Sequence, residues 1–185
     1  MRNRILVFSI LIAIVFSIGL AAQAPQRGQG GQGAAGGQGR GQAAPARPVG
    51  VDAATAKKMV AAAEAAAMAA NAQVAIAVVD GNGDLVYFER MDGASARAVT
   101  SSQGKARAAL LLGVPTKEAQ DAMAAGKQIP VALTAPPAGA WEITIGQGGL
   151  PILKDGKAVA AIGCGGSLPA NDEKFCQAGI DAMGK

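Results

Sequence analysis

The spacing of apolar positions changes several times along the chain, and each change marks an element. In "AATAKKMVAAAEAAAMAA", which follows Asp52, the residues Met59, Val60, Ala63, Ala67 and Ala70 recur at helical spacing. Alanine, the best helix former, fills most of the rest, and Asp52 is placed to cap the helix. "QVAIAVVD" and "LVYFERM" are β-branched and aromatic runs on either side of Asn82-Gly83, a pair favoured in tight turns, and they predict a hairpin. Residues 95–112, "SARAVTSSQGKARAALLL", read as a helix with a soft spot at Gly104, stopped by Gly113-Val114-Pro115. Thr116 can cap a shorter helix, "KEAQDAMAAG", with Glu118 near the positive end of its dipole. Beyond an irregular stretch holding Pro130, Pro136 and Pro137 come three short strand candidates, "WEITIG", "LPILKD" and "KAVAAIGC". The last two join at Asp155-Gly156. Asn171 and the acidic pair Asp172-Glu173 open a final helix running to about Met183. The order α-β-β-α-α-β-β-β-α lacks regular β-α-β alternation. It predicts an α+β domain, an antiparallel sheet of about five strands covered by helices.

The amino-terminal third has a different character. Residues 1–24 combine a basic start (Arg2, Arg4), an apolar run over 5–20 and small residues at the end, the layout of a secretory signal peptide. Ala22-Gln23-Ala24 fits the small-x-small rule for cleavage, with Pro25 a poor neighbour, so a cut one or two residues earlier is an alternative. An uncleaved anchor is the other reading, but the run is at the short end for a span, where about 20 residues are usual. Residues 25–48 are Gly, Gln, Ala, Pro and Arg, with nothing to nucleate a core, and are expected to form a disordered, solvated linker. The folded domain is then 49–185, secreted or periplasmic, with no membrane contact after cleavage.

Charge alters this picture less than the pI of about 9.3 suggests. Five of the 17 basic residues precede residue 49 and none of the 13 acidic ones do, so 17 less 5 leaves 12 cations facing 13 anions in the domain. No basic face for nucleic acid is implied, and the three arginines of the linker lack interleaved aromatics. The domain is rich in small residues. Tyr87, Phe88, Trp141 and Phe175 are its whole aromatic inventory. Small side chains bury little area each, which favours burying further surface in an oligomer.

Candidate chemistry is sparse. Asp80, Asn82 and Asp84 have the alternate spacing with which a calcium loop opens. Its sixth and twelfth positions, however, are Leu85 and Met91 where Gly and Glu are needed. The stretch is a hairpin turn, and no metal site is expected. The chain has no histidine, which removes Ser-His-Asp and Cys-His catalysis and the usual zinc and proximal haem ligands. No catalytic group stands out, because the available carboxylates sit at turns and helix starts. Cys164 and Cys176, an even pair in an exported protein, are expected to form a disulfide; two buried free thiols are the alternative. "GQGG" at 146–149 and "GCGG" at 163–166 match no phosphate loop. They suit strand ends where backbone comes close to another chain or a flat ligand. Among charges set in apolar patterns, Arg90 beside Met91-Asp92-Gly93 is the first candidate for an anion contact.

"DGNGDLVYFERMDGA", "GKARAALLLGVPTK", "GGLPILKDGKAVAAIG" and "DEKFCQAGI" resemble, in order and spacing, the motifs of the GlcG/HbpS-type haem-binding protein family. The resemblance runs from about Ala53 to Met183. It implies a layered α/β domain on an antiparallel sheet, assembly into homo-oligomers, and binding of haem or another tetrapyrrole in some members. Others are encoded with glycolate oxidation. Asp84 stands where many members carry a histidine, Cys164 where valine is common, and Cys176 takes the place of a last-helix cysteine found nearby in relatives. The implied function is that of an exported, oligomeric, non-enzymatic binding protein holding haem or another flat ligand without histidine. Arg90, Met91, Lys105 and Thr116 are its candidate contacts. The rival expectations are an enzyme or accessory factor for a small organic acid, and a purely structural oligomer.

Overall fold

The computed structural model describes residues 50–129, 131 and 142–184. The proposed signal peptide, the linker, Trp141 and Pro130, Pro136 and Pro137 lie outside the described residues. The elements are α1 (Ala53–Ala69), β1 (Ala75–Asp80), β2 (Leu85–Arg90), α2 (Ala96–Leu112), α3 (Thr116–Ala124), β3 (Gly149–Lys154), β4 (Lys157–Gly165) and α4 (Pro169–Asp181). The strands form one antiparallel sheet in the order β2-β1-β4-β3. The α+β class expected from the sequence is therefore correct, with four strands among the described residues rather than about five. Residues 142–145 form no strand. They lie instead against α2, with the Thr144 side chain occupying the space a Cβ at Gly104 would need.

Both predicted turns are built as their residues require. Asp80 closes the first hairpin. Its carboxylate accepts from the backbone N–H of Asn82 at 2.8 Å and of Asp84 at 3.0 Å, and Gly83 takes a φ of 78°. That carboxylate serves the turn and is buried in it. Asp155 and Gly156, at φ 51° and 75°, make the β3–β4 turn with both central residues left-handed, the twist that matches paired strands. At the head of α1, the exposed Asp52 accepts from the Thr55 N–H at 2.7 Å, which holds its carboxyl below the usual 3.8. The stability this cap contributes is present above that value and is lost as acid protonates it. Among the described residues no helix is long and apolar enough to cross a membrane.

Strand alternation divides the core into two unequal layers. Ile76, Val78, Ile162 and Cys164 face α1 and α4, meeting Met59, Val60, Phe175 and Cys176 in the larger cluster. Ala77, Val79 and Ala161 face α2, where they meet Ala106, Ala109 and Leu110. The α2 side is nearly all small residues, so the helix backbone settles onto the sheet. A Cβ on Gly163 would stand 2.1 Å from the Ser102 carbonyl oxygen, and one on Gly149 2.4 Å from that of Lys105. The glycine-rich strand ends thus admit this chain's own helix.

Two expectations follow for this interface. Gly163→Ala should lower the unfolding free energy by about 1–3 kcal/mol, the usual cost of overpacking, because backbone rather than a movable side chain blocks the new methyl. Gly156→Ala, where a Cβ meets nothing, should cost less and do so through its positive φ alone. Urea titration of both variants checks the ranking.

Candidate functional site

The carboxyl end of β4, the start of α4 and the loop before β3 converge on one side chain, Lys105 of α2. Its amine donates to the Asp172 carboxylate at 2.8 Å and to the Cys164 carbonyl at 2.9 Å, and both side chains of the ion pair are buried. The second Asp172 oxygen accepts from the Ser167 N–H at 3.0 Å. The pair therefore joins the two helix layers around the end of the sheet. Gly148, at φ 118°, passes over it so closely that a Cβ would lie 2.7 Å from the Asp172 Cβ and 3.0 Å from the Lys105 amine.

The two cysteines sit behind this pair. Both are buried and remain free thiols, so the structure does not contain the disulfide expected from the sequence. The Cys176 thiol donates to the Gly148 carbonyl at 3.2 Å, an oxygen that also accepts the Cys164 N–H at 2.8 Å. Burial, foremost, together with hydrogen bonding to Cys164 pushes the Cys176 thiol well above its usual 9.0. The thiol therefore acts as a neutral donor that pins the glycine loop. Dry surroundings disfavour a thiolate.

A cavity of about 460 Å³ opens beside the ion pair. Arg97, Ser101 and Lys105 of α2 form one wall, and Gln120 of α3 contributes to another. Residues 144–147 and the start of α4, with Ser167, Pro169 and Asp172, complete it. Its cations are Arg97 and Lys105, and its one acid, Asp172, is already engaged by Lys105. Arg97 is exposed, and its guanidinium has no acidic partner among the described residues. Among the described residues, the cavity's lining thus holds one positive charge with no acid to compensate it.

Of the four ligand contacts expected from the sequence, Lys105 alone borders this cavity. Arg90 turns back on its own loop, its guanidinium donating to the Ala94 carbonyl at 2.9 and 2.6 Å. Met91 is half-buried against the core shared by α1 and α4. Thr116 is fully buried and does not cap α3, whose cap is Pro115. Its hydroxyl accepts from the Gly149 N–H at 2.9 Å and lies 2.7 Å from the Gly146 carbonyl oxygen, tying the loop that edges the cavity. Sequence reasoning missed Arg97 and the role of Asp172. Arg97 did carry a signal, because a cation in the first turn of a helix opposes the dipole. Among the described residues no group of three or more His, Cys, Asp or Glu side chains could hold a metal ion.

Removing one partner of the buried pair strands the other. Lys105→Met should destabilise the protein by about 3–5 kcal/mol, whereas Lys105→Met with Asp172→Leu should recover most of that loss. Denaturant curves on both variants test this. The raised Cys176 thiol adds a pH dependence. Its contribution is whole below 9.0 and is lost as the pH climbs toward the folded value, because the unfolded chain ionises first. The urea midpoint should therefore fall above pH 9.0, and fall less in Cys176→Ala.

The family model described as haem-degrading protein, HbpS-like, matches residues 51–181. An uncharacterised 15.0 kDa protein from the dhaT-dhaS intergenic region of Citrobacter freundii is 34% identical over 131 residues, covering 70% of this chain and 89% of its own. The crystal structure of HbpS shares 30% identity at a TM-score of 0.62, over 73% of this chain and 91% of that one. A PduOC–haem complex matches at 20% identity and a TM-score of 0.61, over 71% and 94%, a likeness of fold alone. By the length and continuity of the family match, which runs from before α1 to the end of α4, the chain belongs to the HbpS-like family.

Proposed function

We propose that the protein is exported and works as a homo-oligomeric binding protein for a tetrapyrrole or a similar flat ligand bearing carboxylates, held without an iron ligand from its own chain. The observation that carries this reading is the cavity of about 460 Å³ bordered by Arg97, a cation with no acidic partner among the described residues. Its volume falls in the range of small-molecule sites, roughly 300–1,000 Å³. The family description names haem, and a protein of the same fold has been crystallised with it.

Whether the residues suit haem depends on which part of the group is considered. The iron finds no partner: the chain has no histidine, and no Met, Cys or Tyr lines the cavity. Lys105 is committed to Asp172 and the Cys164 carbonyl. The propionates are better served, because a guanidinium binds a carboxylate through paired, charge-assisted hydrogen bonds. The chain fits the periphery of the ring and not its metal.

Other parts of the reading rest elsewhere. Export rests on residues 1–24, and assembly on apolar side chains left more than half exposed, Met68 at 62%, Leu153 at 54% and Leu168 at 71%. Light scattering on the mature protein should give a multiple of the subunit mass. Mass spectrometry of exported material should find a first residue at or just before Pro25. A parallel titration tests the ligand: haemin and metal-free protoporphyrin IX should bind with similar affinity. Arg97→Ala should weaken both about tenfold, the size of one lost charge-assisted hydrogen bond. Binding of haemin without binding of protoporphyrin would show that iron is ligated after all.

A further inference from the structure

A second cavity, of about 360 Å³, lies beside the first, and Ile145 lines both. Leu112, Met123, Ile129 and Ile145 give the second its apolar lining, with Lys127 and Gln128 as its polar members. Gln120 borders the first cavity and Met123 the second. Three residues apart on α3, they share one face of that helix, so the helix runs alongside both spaces. Met123 is 55% exposed, a large apolar side chain turned toward an opening.

The polar end carries a charge that local helix energetics argue against. Ser95 caps α2, which makes Arg97 the second helical residue, and the first turn of α2 contains no acid to offset it. Cations at that position are disfavoured by the helix dipole. The amino-terminal end of α4, whose N-cap Leu168 offers no side-chain bond, borders the same cavity through Ser167 and Pro169. The uncompensated Arg97 charge and two like-signed helix ends thus face one space whose sole carboxylate is already bonded. Gln120 adds a neutral donor.

We infer that the joined cavities take an amphipathic carboxylate: one carboxylate seated at Arg97 and the start of α4, attached to an apolar body that passes Ile145 to lie against Leu112, Met123 and Ile129. The inference rests on the first cavity being the ligand site, and it narrows the ligand to molecules that carry both features. Neither charge nor hydrocarbon is sufficient alone, because the cation borders one cavity and the apolar wall the other.

Calorimetric titration of the full chain with sodium octanoate, 1-octanol and sodium acetate separates the contributions. Octanoate should bind saturably, with octanol and acetate each at least tenfold weaker, because each lacks one contact. Arg97→Ala should remove the preference for octanoate over octanol while leaving the melting temperature unchanged or slightly raised, since it relieves an unfavourable dipole contact. Arg97→Lys should restore part of the preference. Met123→Glu should weaken octanoate without changing acetate. Equal binding of octanoate and octanol, or of octanoate and acetate, would overturn the inference, as would an Arg97→Ala variant that still prefers octanoate. If octanoate fails while protoporphyrin IX binds in an Arg97-dependent way, the ligand class proposed here falls and the tetrapyrrole reading stands. If neither binds, both fall.

Discussion

The ion pair between Lys105 and Asp172 is the constraint to which the rest of the site answers. An amine and a carboxylate removed from water are tolerable only when their remaining hydrogen-bonding capacity is met. Here the Cys164 carbonyl and the Ser167 N–H meet it. These groups come from β4 and the turn into α4, whereas Lys105 comes from α2 on the other side of the sheet. Any shift of one helix layer against the other would strand a buried charge, so the pair fixes the layers in register. The glycine loop is fixed along with it. Gly148 can pass over the pair because it has no side chain, and its carbonyl is then pinned by Cys176.

The close seating of α2 follows from side-chain size. On that face of the sheet alanine and glycine dominate, and helix backbone fills the volume that larger side chains would take. Such packing gains less from hydrophobic area than a leucine-rich core does. It gains precision instead, because backbone atoms in contact cannot adjust as rotamers can. The cavity is a consequence. With α2 held at short range and Thr116 tying residues 146 and 149, the loop over 144–147 has its position set from two sides.

What was legible in the sequence follows the range of the interactions involved. Turn chemistry is local, and Asn82-Gly83 and Asp155-Gly156 announced the two hairpins that structure the sheet. Helix α2 could be read from its pattern and from Gly113, which ends it at a φ of 68°. The partner of Lys105 lies 67 residues away, and no periodicity links two positions so distant. Thr116 misled for a related reason: a hydroxyl at the head of a helix reads as a cap until a loop 30 residues on claims it. Residues 142–145 look like a strand because Ile143, Thr144 and Ile145 are β-branched and apolar and polar residues alternate there. Their packing is a long-range matter: Thr144 sits where Gly104, 40 residues earlier, has no side chain.

Arg97 shows how a local rule, when broken, can be more informative than one obeyed. Helix capping by Ser95, the apolar stripe and the terminating glycine all agree with the fold. The arginine does not, and no acidic side chain among the described residues compensates it. A sequence consistent at every other level tolerates such a conflict where something outside the chain resolves it. The same argument explains why Lys105 is unlike Arg97 despite bordering the same space. Lys105 is satisfied by its own protein and joins the two helix layers, while Arg97 is exposed and has no acidic partner among the described residues. On the binding function proposed above, structural and binding cations are divided between two positions eight residues apart on one helix, and a ligand at Arg97 would leave the Lys105–Asp172 pair undisturbed.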